Sequence, residues 1–461
     1  MEQFDAVIIG TGQAGVPLAA RLAEQGKQVA ILERHRVGGS CVNYGCTPSK
    51  TLIASARIAH HVRCAADWGI HSGEVRIDYP AVIKRVRELV SASNSKITTR
   101  FEDNPNITLI RAEGRFSGSV DGLHVVIAGD REICAPQVFI NTGTRGQVPP
   151  IDGLDDVPYL NNETIFDLDV LPEHLILIGG GYISLELGQA YRRLGSRVTV
   201  IEAAAAMLER EDLDIAAAVT EFLKAEGIDI LTDTKVTSAR RDGAGVIVTV
   251  AHGDQLREIG GSHVLVAAGR TPNSDALALE TVGVKTDEKG YILTDGQMRT
   301  NINGIYAIGD VNGRGAFTHT SYQDYEIVWD HLNGGTRSAD GRIMTYAMYL
   351  DPPLGRVGMN EKEARKAGKS VLVNTWAMAD ISRAKEQGET RGMIKVVVDA
   401  GTDQILGATV LGFQGDDVVQ VFSYFMHTGA PYQVMRDALP IHPTISEMIP
   451  TVLGKLKPME D

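Results

Sequence analysis

The feature that most constrains the fold is a unit that occurs twice: a short apolar strand, a glycine-rich turn, a helical stretch and a second apolar strand ending in glutamate. In the first copy Ala6 to Ile9 run into Gly10-Thr-Gly12-Gln-Ala-Gly15, and Val29 to Leu32 end at Glu33. In the second, Leu175 to Ile178 run into Gly179-Gly-Gly181-Tyr-Ile-Ser184, a helix continues through Leu194, and Val198 to Ile201 end at Glu202. Each glutamate lies 23 residues after the first glycine of its unit. This is the order of a Rossmann half-unit. Its glycines let the backbone approach a pyrophosphate at a helix N-terminus, where unpaired N–H groups and the helix dipole favour negative charge, and its carboxylate accepts hydrogen bonds from a ribose. Two units imply two dinucleotides on one chain.

Between the units, Gly38 to Lys50 read Gly-Gly-Ser-Cys-Val-Asn-Tyr-Gly-Cys-Thr-Pro-Ser-Lys. Cys41 and Cys46 stand five positions apart, just beyond the first unit, so a redox dithiol can face a bound cofactor. A flavin beside a nicotinamide is the natural pairing for a dithiol enzyme. The chain has 4 cysteines, too few for a disulfide framework at this length, and a close pair in a reducing compartment means catalysis or metal. His35 is the only histidine close to the pair and no second pair of cysteines supplies ligands, so no metal site is expected. Cys64 and Cys134 read as small apolar residues.

At 461 residues the chain suits two to four domains rather than one core. A net charge of −13 without a dense Lys/Arg cluster excludes nucleic acid and anionic membranes as partners. No apolar run approaches the length of a membrane span and no signal-like segment opens the chain, so a cytoplasmic location is the expectation. Residues 57–101 read as two helices and residues 107–140 as short strands separated by Gly and Asp turns. That stretch ends in Asn141-Thr-Gly143-Thr before Pro149 and Pro150, and a matching Ala267-Ala-Gly269-Arg270 closes the second unit. The chain is expected to return there to its first domain, where Ile305 to Asp310 supply another strand with a carboxylate at its end. From about Thr345 the pattern changes to α+β, with strands at 394–398 and 405–411 and helices at 361–367 and 416–428.

The motifs closely resemble, in order and over essentially the whole chain, those of the flavin-dependent pyridine nucleotide-disulfide oxidoreductases, the family of dihydrolipoamide dehydrogenase, glutathione reductase and mercuric reductase. They are Gly10 to Gly15, Cys41 to Lys50, Gly179 to Glu186, Gly309-Asp310 and His442-Pro-Thr-Ile-Ser-Glu447. The resemblance implies an α/β fold of two Rossmann-like dinucleotide-binding domains, as in glutathione reductase, plus a C-terminal α+β dimerisation domain. The expected divisions are an FAD-binding domain over 1–150, an NAD-binding domain over 151–272, a second, central part of the FAD domain over 273–340, and an interface domain over 341–461 of a homodimer.

The resemblance also implies roles. Cys46 is the thiol beside the flavin and Cys41 the interchange thiol that meets substrate. His442, contributed by the other subunit, is the base, oriented by Glu447. Lys50 and Glu186 form an ion pair whose positive charge favours reduced flavin. Asp310 holds the ribityl chain and Glu33 the adenosine ribose, while Gly10, Gly12, Gly15, Ser40, Gly114, Thr142, Gly143 and Thr318 complete the FAD site. Gly179, Gly181, Ile183, Glu202 and Gly269 belong to the nicotinamide cofactor. Glu202 suits a 2′-hydroxyl and repels a 2′-phosphate, so NAD is expected over NADP, although Arg192, Arg193 and Arg197 are near in sequence.

For the substrate, Cys41-Val-Asn and Phe317-Thr-His-Thr-Ser-Tyr322 are similar to mercuric reductases, but their C-terminal cysteine pair has no counterpart after Cys134, and His442 has none in them. A dithiol or disulfide substrate is expected, with dihydrolipoamide, free or on a lipoyl carrier protein, as the leading reading. Val42, Tyr44 and Thr47 depart from the residues usual in dihydrolipoamide dehydrogenases and imply a dithiol pocket of different shape. The alternative is an NAD(P)H-dependent reductase of mercuric or copper ions, or of quinones.

Overall fold

The computed structural model describes residues 1–459, so the last two residues of the expected interface domain lie outside it. A five-stranded parallel sheet is centred on Ala6–Ile9, with Val29–Leu32 and Ile107–Ile110 on one side and Gln137–Ile140 and Ile305–Ala307 on the other. The strand at 305–307 is the chain's return. Ala6 and Ile8 belong to the core cluster that includes Leu18 and Leu22 of the helix Gly15–Glu24, whereas Val7 and Ile9 face Phe116, Val126 and Ile133 of an antiparallel sheet. Both faces are covered, which is why the strand is an unbroken apolar run rather than an alternating one.

The second unit repeats this plan. Its parallel sheet runs Asp229–Leu231, Arg197–Ile201, His174–Ile178, His263–Val266. Leu175 and Leu177 face a cluster containing Leu185 of the helix Tyr182–Leu194, and Ile176 and Ile178 face Val246, Val248 and Val250. Those valines lie in a three-stranded antiparallel meander, Lys235–Asp242, Gly245–His252 and Gln255–Gly261, which the sequence reading did not single out. The outgoing and returning crossings pair antiparallel, Thr144–Gly146 against Arg270–Pro272, so the second unit is inserted in the first through a two-stranded neck.

The remainder forms a six-stranded antiparallel sheet from Thr345–Met348 to Lys457–Pro458, with the helix Gly415–Met426 laid on it. Val419 and Phe422 bury against Val396, Val398 and Val410. Truncating Phe422, 0% exposed, to alanine would cost ~3–5 kcal/mol through lost burial and a cavity.

The region 57–101 needs correction. The first of its two helices begins at Cys46 and runs to Arg63; the second is Tyr79–Glu102. Pro48 did not stop the helix because it stands in the first turn, where backbone N–H groups have no partner to lose.

Candidate active site

A cleft of about 560 Å³ opens at the C-terminal ends of the first sheet's strands. Gly10 turns the chain out of Ala6–Ile9 with φ +105°, and a Cβ there would lie 2.4 Å from the Asn141 carbonyl oxygen. The glycine loop is braced by the Asn141 side chain, whose Oδ1 accepts from Gly15 N (2.9 Å) and whose Nδ2 donates to the Ile308 carbonyl (2.8 Å). Asn141 ties loop, neighbouring strand and returning strand together, a role its place at the end of the 107–140 stretch did not suggest. Buried Asn43 acts similarly beneath the cysteines, donating to the Val37 and Gly39 carbonyls at 3.0 Å each.

The cysteine pair stands on short helical segments that meet at Gly45. Cys41 lies in Gly39–Asn43, and Cys46 is the first residue of the 18-residue helix that follows. Both are free thiols. The helix N-terminus favours negative charge on sulfur. Thr318, first residue of the helix Thr318–Leu332, puts its Oγ1 3.2 Å from Cys46 Sγ. The Cys46 thiol is pulled down to about 6, first by the hydrogen bond it accepts from Cys41, then by Thr318 and the charge of Lys50. The same sulfur–sulfur hydrogen bond, with burial, pushes Cys41 up. Cys46 is thus the sulfur whose surroundings favour a thiolate, and Cys41 the one whose surroundings favour a thiol.

Lys50, one turn along the same helix, donates to Glu186 Oε2 at 2.7 Å and lies 4.6 Å from the centre of the Tyr349 ring. Glu186 Oε1 accepts from the Tyr349 backbone N–H at 2.8 Å, which fixes the buried carboxylate from two sides. Asp310 follows the returning strand; burial raises its carboxyl, opposed by the charge of Arg270 and by hydrogen bonds donated by Thr144 and Ser321. Glu33 accepts from Thr11 Oγ1 (2.5 Å) and from the backbone of His35 (2.9 Å).

Of the residues singled out in the sequence, the cleft brings together Gly10, Gly12, Glu33, Ser40, Cys41, Cys46, Lys50, Gly114, Thr142, Gly143, Ile183, Glu186, Asp310 and Thr318. Gly15 begins the helix behind it. Gly179, Gly181, Glu202 and Gly269 cluster around the second sheet: Glu202 Oε2 accepts from Gly180 N at 2.5 Å, and the Ala267 carbonyl lies 2.6 Å from where a Gly179 Cβ would be. His442 and Glu447 form a pair at 2.7 Å through Nδ1 and Oε2, with the imidazole 75% exposed and outside the cleft of its own chain. Of the three arginines near Glu202 in sequence, only Arg193 is buried in ion pairs; the other two have partners nearer the surface. Arg192 donates to the Glu226 carbonyl, Arg193 is buried between Glu226 and Asp351, and Arg197 pairs with Asp229. Among the described residues no cluster of His, Cys, Asp and Glu suits a metal ion, and no helix is long and apolar enough to cross a membrane.

Two dinucleotide folds sharing a dithiol define an oxidoreductase that passes electrons between a nucleotide cofactor and sulfur. The chain belongs to the pyridine nucleotide-disulphide oxidoreductase family, whose model matches residues 4–324, followed by the family's dimerisation domain over 344–453. It is 35% identical over 462 residues to the probable pyridine nucleotide-disulfide oxidoreductase RclA of Escherichia coli (strain K12), covering 99% of this chain and 100% of that protein. It is 33% identical to a mercuric reductase of Streptomyces lividans (95% and 94% covered) and 33% identical to a dihydrolipoyl dehydrogenase of Thermus scotoductus (97% and 96%). Among solved structures, a Cu(II) complex of the HOCl-induced flavoprotein disulfide reductase RclA from E. coli superposes with a TM-score of 0.87 at 35% identity over 97% of this chain and 99% of that one. The protein is thus a flavin-dependent enzyme, and membership implies FAD, a pyridine nucleotide and a dimer. The cleft fits FAD: Gly143, at φ +66°, has open space beside its Cα, and the buried Thr142 hydroxyl has no hydrogen-bond partner among the described residues.

Proposed function

We propose that the protein couples NAD(H) to a dithiol/disulfide substrate through FAD and the Cys41–Cys46 pair, with a dihydrolipoamide-type dithiol as the leading substrate. The observation that carries this reading is geometric: Cys41 and Cys46 line one cleft with Lys50 and Glu186, and Cys46 stands at a helix N-terminus with the Thr318 hydroxyl 3.2 Å from its sulfur. In this reading Cys41 exchanges with substrate. A substrate dithiol reduces the Cys41–Cys46 disulfide in two exchanges: one sulfur–sulfur bond breaks, one forms in the released product, and two electrons stay on the pair. Bound FAD supplies the two-electron exchange between the pair and the nicotinamide. The net reaction, dithiol plus NAD⁺ giving disulfide plus NADH and a proton, balances in either direction.

Because Cys41 keeps its proton, exchange at it needs a base. His442 is assigned that role in the partner's cleft: it is exposed, and Glu447 holds Nδ1, leaving Nε2 to take the proton. Lys50, fixed by Glu186, supplies positive charge for the reduced flavin. Asp310 and Glu33 are assigned to the ribityl chain and adenosine ribose, with Gly10, Gly12, Gly15, Ser40, Gly114, Thr142, Gly143 and Thr318 lining the FAD site. Gly179, Gly181, Ile183, Glu202 and Gly269 are assigned to the nicotinamide cofactor. NAD is preferred to NADP because the Glu202 carboxylate suits a ribose 2′-hydroxyl and repels a 2′-phosphate, and the nearby Arg193 is buried in pairs with Glu226 and Asp351. The reducing cytoplasm is the compartment that suits a cycling pair, and a lipoyl carrier protein is the partner that would present the dithiol.

A second reading, reduction of copper or mercuric ions, is favoured by the relatives, one of which is described as a Cu(II) complex and another as a mercuric reductase. The FAD-loaded protein should be offered NAD⁺ with dihydrolipoamide, and separately NADH with Cu(II) or Hg(II). Dithiol-dependent NADH formation supports the first reading; metal-dependent NADH oxidation without it transfers the assignment to the second.

A further inference from the structure

Phe317 is the middle of a near-parallel stack of three rings at the mouth of the cleft. Its ring centre lies 5.3 Å from that of Tyr346, with 4° between the planes, and 5.6 Å from that of His319, with 8° between them. Both outer rings are anchored to the same strand of the C-terminal sheet. Tyr346 belongs to Thr345–Met348, and His319 Nε2 donates to the Thr345 carbonyl at 2.6 Å. Tyr346 is itself held from below: its hydroxyl donates to Glu211 Oε1 and accepts from Arg356 at 3.2 Å. Glu211 and Arg356 are buried, and Arg356 also donates to the Arg210 carbonyl at 2.9 Å, so the phenol stands on a braced ionic base. Burial drives the Tyr346 phenol well above its ordinary range, which keeps it a donor.

The stack bears directly on the redox sulfur. Phe317 precedes Thr318, the residue whose hydroxyl lies 3.2 Å from Cys46 Sγ. We propose that the Tyr346 ring is a positioning residue for the redox centre: by stacking on Phe317 it fixes the first turn of the helix Thr318–Leu332, and with it the Thr318 hydroxyl, against the Cys46 sulfur. The inference rests on the reading of Cys46 as the redox thiol and adds a residue from a different domain to its surroundings. The groups that set the ionisation of Cys46 are Cys41, Thr318 and Lys50, with Tyr182 and Tyr349 also within its electrostatic reach. Tyr346 is not among the groups that shift Cys46 directly; Phe317 carries its contact, and also lies against Tyr182 at 5.9 Å between ring centres, so the Tyr346 variants isolate the stacking of that one ring.

The test is the pH dependence of the Cys46 thiolate-to-flavin charge-transfer absorbance in the two-electron-reduced, FAD-loaded protein, for the parent, Tyr346→Phe, Tyr346→Ala and Phe317→Leu. The parent should titrate below the ordinary thiol range. Tyr346→Ala and Phe317→Leu, which break the stack from opposite sides, should move the midpoint up by about half a unit, a roughly threefold smaller thiolate fraction on the acid limb, as Thr318 drifts from the sulfur. Tyr346→Phe, which keeps the ring, should retain the parent midpoint. An unchanged midpoint in both Tyr346→Ala and Phe317→Leu overturns the inference, as does an equal shift in Tyr346→Phe and Tyr346→Ala, which would assign the effect to the hydroxyl. A parent midpoint in the ordinary thiol range would instead sink the reading of Cys46 itself. Phe317→Leu leaves the Glu211–Arg356 base untouched and decides the matter if Tyr346→Ala does not fold.

Discussion

The two Rossmann units share a backbone but solve the packing behind the glycine loop in opposite ways. Gly10 and Gly179 have φ of +105° and +106°, and each faces a carbonyl across the sheet, Asn141 in the first unit and Ala267 in the second. In the first unit the Asn141 side chain fills the space beside the loop, so a Cβ on Gly15 would lie 2.9 Å from its Oδ1 and 2.6 Å from the Gly10 carbonyl oxygen. In the second the matching side chain is only a methyl group, and the third position of the motif is Ser184, fully buried. At the next position the constraint reverses: Thr11 is accepted in the first unit, whereas a Cβ on Gly180 would meet Met207 Sδ at 2.3 Å. A glycine motif therefore reports what lies opposite each glycine as much as what the loop will bind.

The two units also differ in attachment. The first carries the cysteines and the cleft. The second is tied to the C-terminal region by ion pairs with buried cations, Arg193 with Asp351 at one place and Lys395 with Asp212 and Asp214 at another. Buried pairs of this kind contribute little net stability against apolar substitutes, but removing one partner leaves an uncompensated charge and costs ~3–5 kcal/mol.

The largest expected effect separates the units by chemistry. Cys46→Ser should abolish dithiol-coupled turnover while FAD stays bound, and NADH should still associate with the second unit; loss of both cofactors would mean that the units are not independent, as fluorescence titration would show. Next, Gly15→Ser, which copies the second unit's residue into the first, should destabilise the protein by ~1–3 kcal/mol through overpacking, and adding Asn141→Ala should recover part of the loss. A harmless Gly15→Ser in thermal unfolding, or a double variant no better than the single one, would break the comparison.

On the proposed role of Glu202, Glu202→Ala should shift the NADH-to-NADPH selectivity towards NADPH by about 10-fold, ~1.4 kcal/mol, whereas Glu33→Ala should weaken FAD retention and leave that ratio alone. Equal effects of the two on the ratio would deny the units separate ligands. The smallest effect is on pH. The Cys46 thiol is lowered to about 6, so its thiolate is present above that value and is lost as pH falls through it. Going from pH 8 to pH 6 should cost only about half of the thiolate-to-flavin charge-transfer absorbance of the reduced, FAD-loaded protein, against about a 100-fold loss for an unshifted thiol. A tenfold loss per unit across that whole range would remove the claimed stabilisation.

Legibility in the sequence followed distance along the chain. His442 and Glu447 are five residues apart, and their hydrogen bond joins neighbours in one short segment. The strand–glycine–helix units were readable because a buried parallel strand needs an unbroken apolar run and its turn needs glycine at a positive φ. The meander over 235–261 left a period-two trace at Val246, Val248 and Val250, the signal that could have found it. The bracing role of Asn141 had no trace in the sequence, because the three segments it joins meet only in the fold. Lys50 and Glu186 stand 136 positions apart and were paired only through family resemblance. Tyr346 and Glu211, 135 apart, had no such guide.

The sequence by itself determined the local conformations: where glycine must turn the chain, where apolar runs must be covered, and that a dithiol lies just beyond the first unit. These depend on neighbours along the chain and on side-chain size, which residue order states directly. Only the tertiary structure decided which long-range partners complete each site: the Thr318 hydroxyl beside Cys46, Glu186 on Lys50, Glu226 and Asp351 on Arg193, and the ring of Tyr346 beneath Phe317. Their energies depend on separations of a few ångströms and on exclusion of water, and both are fixed only when distant segments pack.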